Sequence, residues 1–168
     1  MTTISRDIVI AAPAGAVWQV VAHQFDRIGE WATAIPSSRP SASAPGGVGA
    51  PVRGRVCHTG IRLAPQVEER IVSYDEAGRT LTYEAVRPPK FLKSARNRWH
   101  VEAIDGQHSR VSIRASVEPL GIIGRVMYLM LRLQLARTVP QFLHDLEHYV
   151  RHARPSPRKQ RQLSKQNR

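Results

Sequence analysis

Arg96-Asn-Arg-Trp-His-Val-Glu-Ala-Ile104, Asp105-Gly-Gln-His-Ser109 and Arg110-Val-Ser-Ile-Arg-Ala-Ser-Val-Glu118 form the stretch whose pattern decides the fold. Trp99, Val101 and Ala103 share one parity, while Arg98, His100 and Glu102 share the other. Val111, Ile113, Ala115 and Val117 likewise oppose Arg110, Ser112, Arg114 and Ser116. A period of two with one apolar and one polar face predicts neighbouring strands of an antiparallel sheet covered on one side. Asp105-Gly106 supplies turn chemistry between them.

The same period extends toward the N-terminus. Val52–His58, Gln66–Tyr74 and Thr80–Val86 read as strands, the last two separated by the turn residues Asp75-Glu-Ala-Gly78. Residues 36–51 hold four Pro, four Ser and three Gly, which predicts a long loop. Ile4–Ile10 reads as a first strand, stopped by Ala11-Ala-Pro13. Pro13 suits the first turn of a helix over Ala14–Gln24, and Phe25–Trp31 reads as a second short helix. On the other side of the hairpin, 122–152 reads as a long helix containing Pro140, where a kink or a break is expected. Its apolar stripe before Pro140 (Ile122, Val126, Leu129, Leu133) does not line up with the one after it (Leu143, Leu146, Val150). The expected class is α+β, a curved six-stranded antiparallel sheet wrapped around the long C-terminal helix, with two short helices after the first strand. Residues 1–152 make one domain, and 153–168, without apolar period, are expected to be a disordered tail.

Composition narrows the function classes. A chain of 168 residues with 42% hydrophobic content has room for one cored domain. No apolar run approaches the roughly 18 residues of a membrane span, and Met1–Asp7 lacks the pattern of a secretory signal, so the expected compartment is the cytoplasm. One cysteine, Cys57, excludes an internal disulfide and a thiolate-rich metal centre. The formal net charge is +12, of which residues 151–168 carry seven Lys or Arg and no acid. That tail lacks the aromatic interleaving of single-strand binders, so nucleic acid is not the expected partner. A solubilising role, or a weak contact with an anionic membrane surface, is.

The candidate site residues follow from sheet parity. His58 shares parity with Val52 and Val56, Glu69 with Val67 and Ile71, and Tyr83 with Leu81 and Ala85. With those faces turned inward, a His, a Glu and a Tyr would meet in one apolar pocket, where burial shifts pKa values. Orientation of a ligand is the expected use of these groups, and proton transfer the alternative. Asn97, Trp99 and Ile113 join the set by parity, Trp31 as the aromatic between the second helix and the long loop, and Leu129 and Leu133 from the long helix. Cys57, of the opposite parity, is read as incidental, and Trp18 as packing. His144-Asp-Leu-Glu-His148 spells a zinc-binding pattern, but the wheel sets both histidines opposite Leu143, Leu146 and Val150, so a solvated face and no metal is expected. Arg125, Tyr128 and Arg132 form a stripe read as the solvated edge of the helix.

Several pieces in this order resemble the START-like (SRPBCC) superfamily with its helix-grip fold, and within it the bacterial polyketide cyclase/dehydrase and lipid transport proteins. They are Ile8-Val-Ile-Ala-Ala-Pro13 with Val17-Trp18, Phe25-Asp-Arg-Ile-Gly-Glu-Trp31, Gly47-Val-Gly49, Glu69-Arg-Ile-Val-Ser-Tyr-Asp75 with Arg79-Thr-Leu-Thr-Tyr83, and Trp99-His-Val. Relatives often carry a basic residue where this chain has Val52, with Arg53 one position further on. The resemblance covers about residues 4–150 and implies a cavity for a lipid, quinone or polyketide between sheet and C-terminal helix. It implies no cofactor, and it is compatible with a carrier, a sensor or a cyclase/dehydrase-like enzyme, monomeric or homodimeric. A third reading makes the apolar 122–135 helix a protein-interaction surface.

Overall fold

The computed structural model describes residues 2–42, 46–59 and 65–166, with only the backbone described at Thr2, Ile123, Met130, Leu131, Gln134 and Leu135. The chain runs β1 (Thr2–Ile10), α1 (Ala14–Trp18) continuing as a π-turn (Gln19–His23), a 3-10 helix (Phe25–Glu30), and β2 (Ser37–Pro40). It continues through β3 (Gly54–His58), β4 (Gln66–Asp75), β5 (Thr80–Ala85), β6 (Leu92–Ala103) and β7 (Ser109–Pro119). Two helices follow, α2 (Gly121–His152) and α3 (Pro157–Gln166). The strands form one antiparallel sheet in the order β1-β7-β6-β5-β4-β3-β2.

The β6–β7 hairpin is as its alternation predicts. Trp99 faces Ile113 and Val101 faces Val111 across the ladder, and all four are buried. Leu81 on β5 continues the Trp99 row, and Tyr83 pairs with Asn97. This inner face packs with Val17, Phe25, Ile28 and Trp31 of the N-terminal helical segment and with Val139, Leu143 and Leu146 of α2. Trp18 is buried and stacks on Tyr74, which makes it the packing residue expected.

Four differences from the sequence reading have physical causes. The sheet has seven strands, not six, because Ser37–Pro40 pairs with Arg55–His58 inside the expected loop. Residues 43–45 of that loop lie outside the described residues. The strand is admitted by Gly29, where a Cβ would collide with the Ser38 amide nitrogen. In return Ser38 Oγ accepts from the Gly29 amide (2.8 Å) and donates to the Asp26 carbonyl (2.6 Å).

The long helix passes Pro140 without a break. Its two apolar stripes lie about 100° apart, so only one faces the sheet. Val139, Leu143 and Leu146 take that place, leaving Ile122, Val126, Leu129 and Leu133 exposed. The segment expected to be disordered is instead helical from Pro157 to Gln166, with Asn167 and Arg168 outside the described residues. Ser156 precedes Pro157 at the first helical position, and its Oγ lies 3.4 Å from the Lys159 amide, an N-cap arrangement. Lys159, counted among the solvated tail charges, is fully buried.

Candidate ligand-binding site

Between the inner face of the sheet and α2 lies a cavity of about 490 Å³. Its apolar wall is built from Ile28, Val67, Ile113, Ala115, Val139 and Phe142. Segment 33–36 and Gln162 of α3 close one side. Volume and lining fall in the range of small-molecule sites, which are mostly apolar with a few placed polar groups.

Those polar groups cluster at the β3–β5 end. Arg55 and Glu69 are cross-strand partners, so their side chains rise from the same face. Arg55 Nε donates to Glu69 Oε2 at 2.6 Å and Nη1 to the Phe25 carbonyl at 2.9 Å. The guanidinium lies 3.9 Å over the Phe25 ring and 4.9 Å from that of Tyr83. Only 5% of the Arg55 side chain and 15% of that of Glu69 are exposed, so this is a buried ion pair. Burial opposes the Arg55 charge, but the Glu69 carboxylate more than reverses that effect and holds the guanidinium above its ordinary value. Burial pushes the Tyr83 phenol up to about 12, with Glu69 adding to it, while the Trp99 indole donates to the Tyr83 hydroxyl at 3.2 Å. Burial also pushes the Cys57 thiol up to about 12, against the pull of Arg55. The cavity therefore presents a compensated ion pair, a neutral phenol and a neutral thiol. Thr33, on the opposite side, has a buried hydroxyl with no hydrogen-bond partner among the described residues.

Residues 1–151 match the family described as polyketide cyclase/dehydrase and lipid transport. The chain belongs to that family. No curated protein matches it in sequence. Its fold is similar to that of a START superfamily protein from Mycobacterium smegmatis, at 14% identity and TM-score 0.70, covering 90% of this chain and 98% of that one. It is also similar to the Zhui aromatase/cyclase from Streptomyces sp. R1128, at 16% identity and TM-score 0.69, covering 92% and 99%. A third is a protein from Thermobifida fusca, at 24% identity and TM-score 0.65, covering 89% and 93%. The helix-grip resemblance read from the sequence is thus correct.

In this polyketide cyclase/dehydrase and lipid transport family protein, Glu69, Tyr83, Asn97 and Ile113 line the cavity as their parity predicts. Trp99 stands behind Tyr83 rather than on the cavity wall. Trp31 is buried edge-on against Phe142 (5.0 Å between centroids) and packs on Tyr149, off the cavity wall. His58 is a correction. It is exposed at the end of β3, while Arg55 and Cys57 face the cavity. The apolar parity of Val52 and Val56 suggested the other face. The inward one carries an arginine that Glu69 neutralises, so alternation alone inverts the reading. His144 pairs with Glu147 at 3.4 Å, and His148 Nδ1 lies 3.2 Å from the Arg154 carbonyl.

Leu129 and Leu133 are the second correction, because they lie on the exposed stripe of α2 at 57% and 60% exposure. Leu129→Glu should therefore shift stability by no more than about 0.5 kcal/mol, as for an ordinary surface substitution. A loss of several kcal/mol in urea unfolding would put Leu129 back in the core.

Arg55, Cys57, Thr33 and Gln162 are among the lining residues the sequence reading missed. The signal for Arg55 was its cross-strand register with Glu69, which a charge pair across β3 and β4 would have suggested. Cys57 gives a pH test of the site. Its alkylation by iodoacetamide should keep rising about tenfold per pH unit through pH 10, where an ordinary thiol of pKa near 8.5 has levelled off. A plateau near pH 8.5 would mean a solvated thiol.

Proposed function

We propose that the protein binds a hydrophobic small molecule, such as a lipid, quinone or polyketide, in this cavity as a carrier or sensor. The observation that carries the reading is the cavity itself: about 490 Å³, walled largely by aliphatic and aromatic side chains, with a few polar side chains among them. Burial of apolar ligand surface supplies affinity at roughly 25 cal/mol per Å² before the cost of association. The Tyr83 hydroxyl and the Asn97 amide, cross-strand neighbours on the cavity wall, then orient one polar oxygen of the ligand.

The chemistry favours binding over proton transfer. A general base needs a pKa near the working pH. Tyr83 and Cys57 are held near 12 and stay protonated. Glu69 is clamped by Arg55, and His58 does not line the cavity. A cyclase/dehydrase activity, the alternative within the family, would have to work through positioning and folding of a reactive chain rather than through a poised base.

Fluorescence titration with a long-chain fatty acid, a short-tailed quinone and an aromatic polyketide tests the reading. Saturable one-to-one binding of at least one class is expected. Absence of saturable binding for all three would contradict it.

A second reading rests on a different observation. Ile122, Val126, Leu129 and Leu133 form one exposed stripe on α2, with 57–82% of each accessible. Such a stripe supports docking against another protein surface. Leu129→Glu should then break a dimer or a complex while leaving probe binding intact.

A further inference from the structure

α3 is held on the molecule almost wholly by polar contacts. Of its residues Pro157–Gln166, Leu163 is the sole large aliphatic one. The fully buried Lys159 ammonium donates to the carbonyls of Ile35 (2.7 Å) and Pro36 (3.1 Å) and to Gln162 Oε1 (2.9 Å). Gln162 Nε2 donates to the Thr33 carbonyl at 3.3 Å. From the α2 side, Asp145, itself 1% exposed, accepts the Thr33 amide at 2.8 Å and the Ser156 hydroxyl at 3.0 Å. Segment 33–36 is thus gripped by α2 and α3 together, and that segment and Gln162 are cavity wall.

The connection between the two helices is a reversal in the backbone. α2 ends with Ala153 in the left-handed region (φ 51°), which is unfavourable for a residue bearing a Cβ. Pro155 and Pro157 follow, and the chain turns back toward segment 33–36. A helix docked by hydrogen bonds across a strained turn, with little apolar area beneath it, belongs at the low end of local opening free energies. Burial of Lys159 works in the same direction: it pushes the ammonium down to about 8, with Asp145 acting against the shift.

We propose that α3 is a reversible latch on the cavity: Lys159 is its catch on the Ile35 and Pro36 carbonyls, and its release opens the side bounded by segment 33–36 and Gln162 to an entering or leaving ligand. The purpose assigned to the latch rests on the cavity-binding reading, but its motion can be measured without any ligand. Cys57 lines the cavity and is the chain's one cysteine. Its labelling by iodoacetamide at fixed pH reports opening directly.

In the full-length protein, Lys159→Met keeps the volume of the side chain and removes its donors. Cys57 should be labelled about tenfold faster or more, the scale of losing a charged hydrogen bond. Gln162→Ala should accelerate it less. Arg110→Gln, on the outer face of β7, should leave it unchanged. In the unsubstituted protein, amides of 161–166 should exchange with solvent well before those of 141–150. Labelling of Lys159→Met and Gln162→Ala at the wild-type rate would overturn the latch. So would exchange of α3 amides in step with the core, a result that requires neither variant to fold. Failure of every probe in the titration above, with labelling still accelerated, would instead remove the binding reading and leave the latch standing.

Discussion

Glu69→Ala should destabilise the protein by about 3–5 kcal/mol, the usual cost of stranding one partner of a buried ion pair. The reason lies in Arg55. Its guanidinium is enclosed by Phe25, Tyr83 and Glu69 and is 5% exposed, so it cannot turn to water when the carboxylate goes. The Nη1 contact with the Phe25 carbonyl remains but carries no compensating charge. Urea unfolding should show a large fall in midpoint with little change in slope, since the surface exposed on unfolding hardly changes. Replacing both partners, Arg55→Met with Glu69→Leu, should recover most of the loss, because an apolar pair of similar volume avoids the desolvation penalty altogether. A single-variant loss below about 1 kcal/mol, the range of a solvated pair, would mean that water reaches Arg55.

The ion pair also marks where the sequence was legible and where it was not. Periodicity served well wherever one face was wet. Trp99, Val101, Val111 and Ile113 point inward as read, and with them Asn97 and Tyr83 fall on the cavity side. It failed on β3, four of whose five residues are buried, because a strand covered on both faces has no polar side to betray its parity. Arg55 has the parity of a solvent-facing charge, and only its cross-strand pairing with Glu69 accounts for its burial. β2 was invisible for a different reason: Ser37-Ser-Arg-Pro40 is a short edge strand with no apolar residue to alternate. α3 failed because apolar period was given more weight than capping. Ser156-Pro157 is a helix start by side-chain chemistry, and the burial of Lys159 depends on carbonyls some 120 residues away, which no local pattern contains. Leu129 and Leu133 were a matter of choosing between two misaligned stripes, and the sheet's partner is the one after Pro140.

Ala115→Phe should abolish or sharply weaken ligand binding while leaving the fold intact. Ala115 sits on β7 opposite Asn97, with its side chain on the cavity wall. A phenyl ring there projects into space that a ligand would otherwise fill. Overpacking costs about 1–3 kcal/mol when it competes with a well-packed occupant, which corresponds to roughly a five- to hundredfold loss of affinity for a probe. In the ligand-free protein the same ring enters an open apolar space, so the thermal midpoint should hold or rise. The combination separates a cavity effect from misfolding. Leu129→Glu, outside the cavity, is the matching control and should bind the probe as the unsubstituted protein does. Equal probe affinity in Ala115→Phe would place the binding site elsewhere on the molecule.

On the proposed function, the cavity between the sheet and α2 holds a hydrophobic small molecule. Native mass spectrometry of the protein purified from its own host, followed by denaturation and analysis of what is released, tests it most directly. The expected result is a chain carrying one additional small molecule that denaturation frees as a lipid, quinone or polyketide, and that Ala115→Phe does not carry. The bare chain mass under native conditions, with nothing apolar released on denaturation, would contradict it.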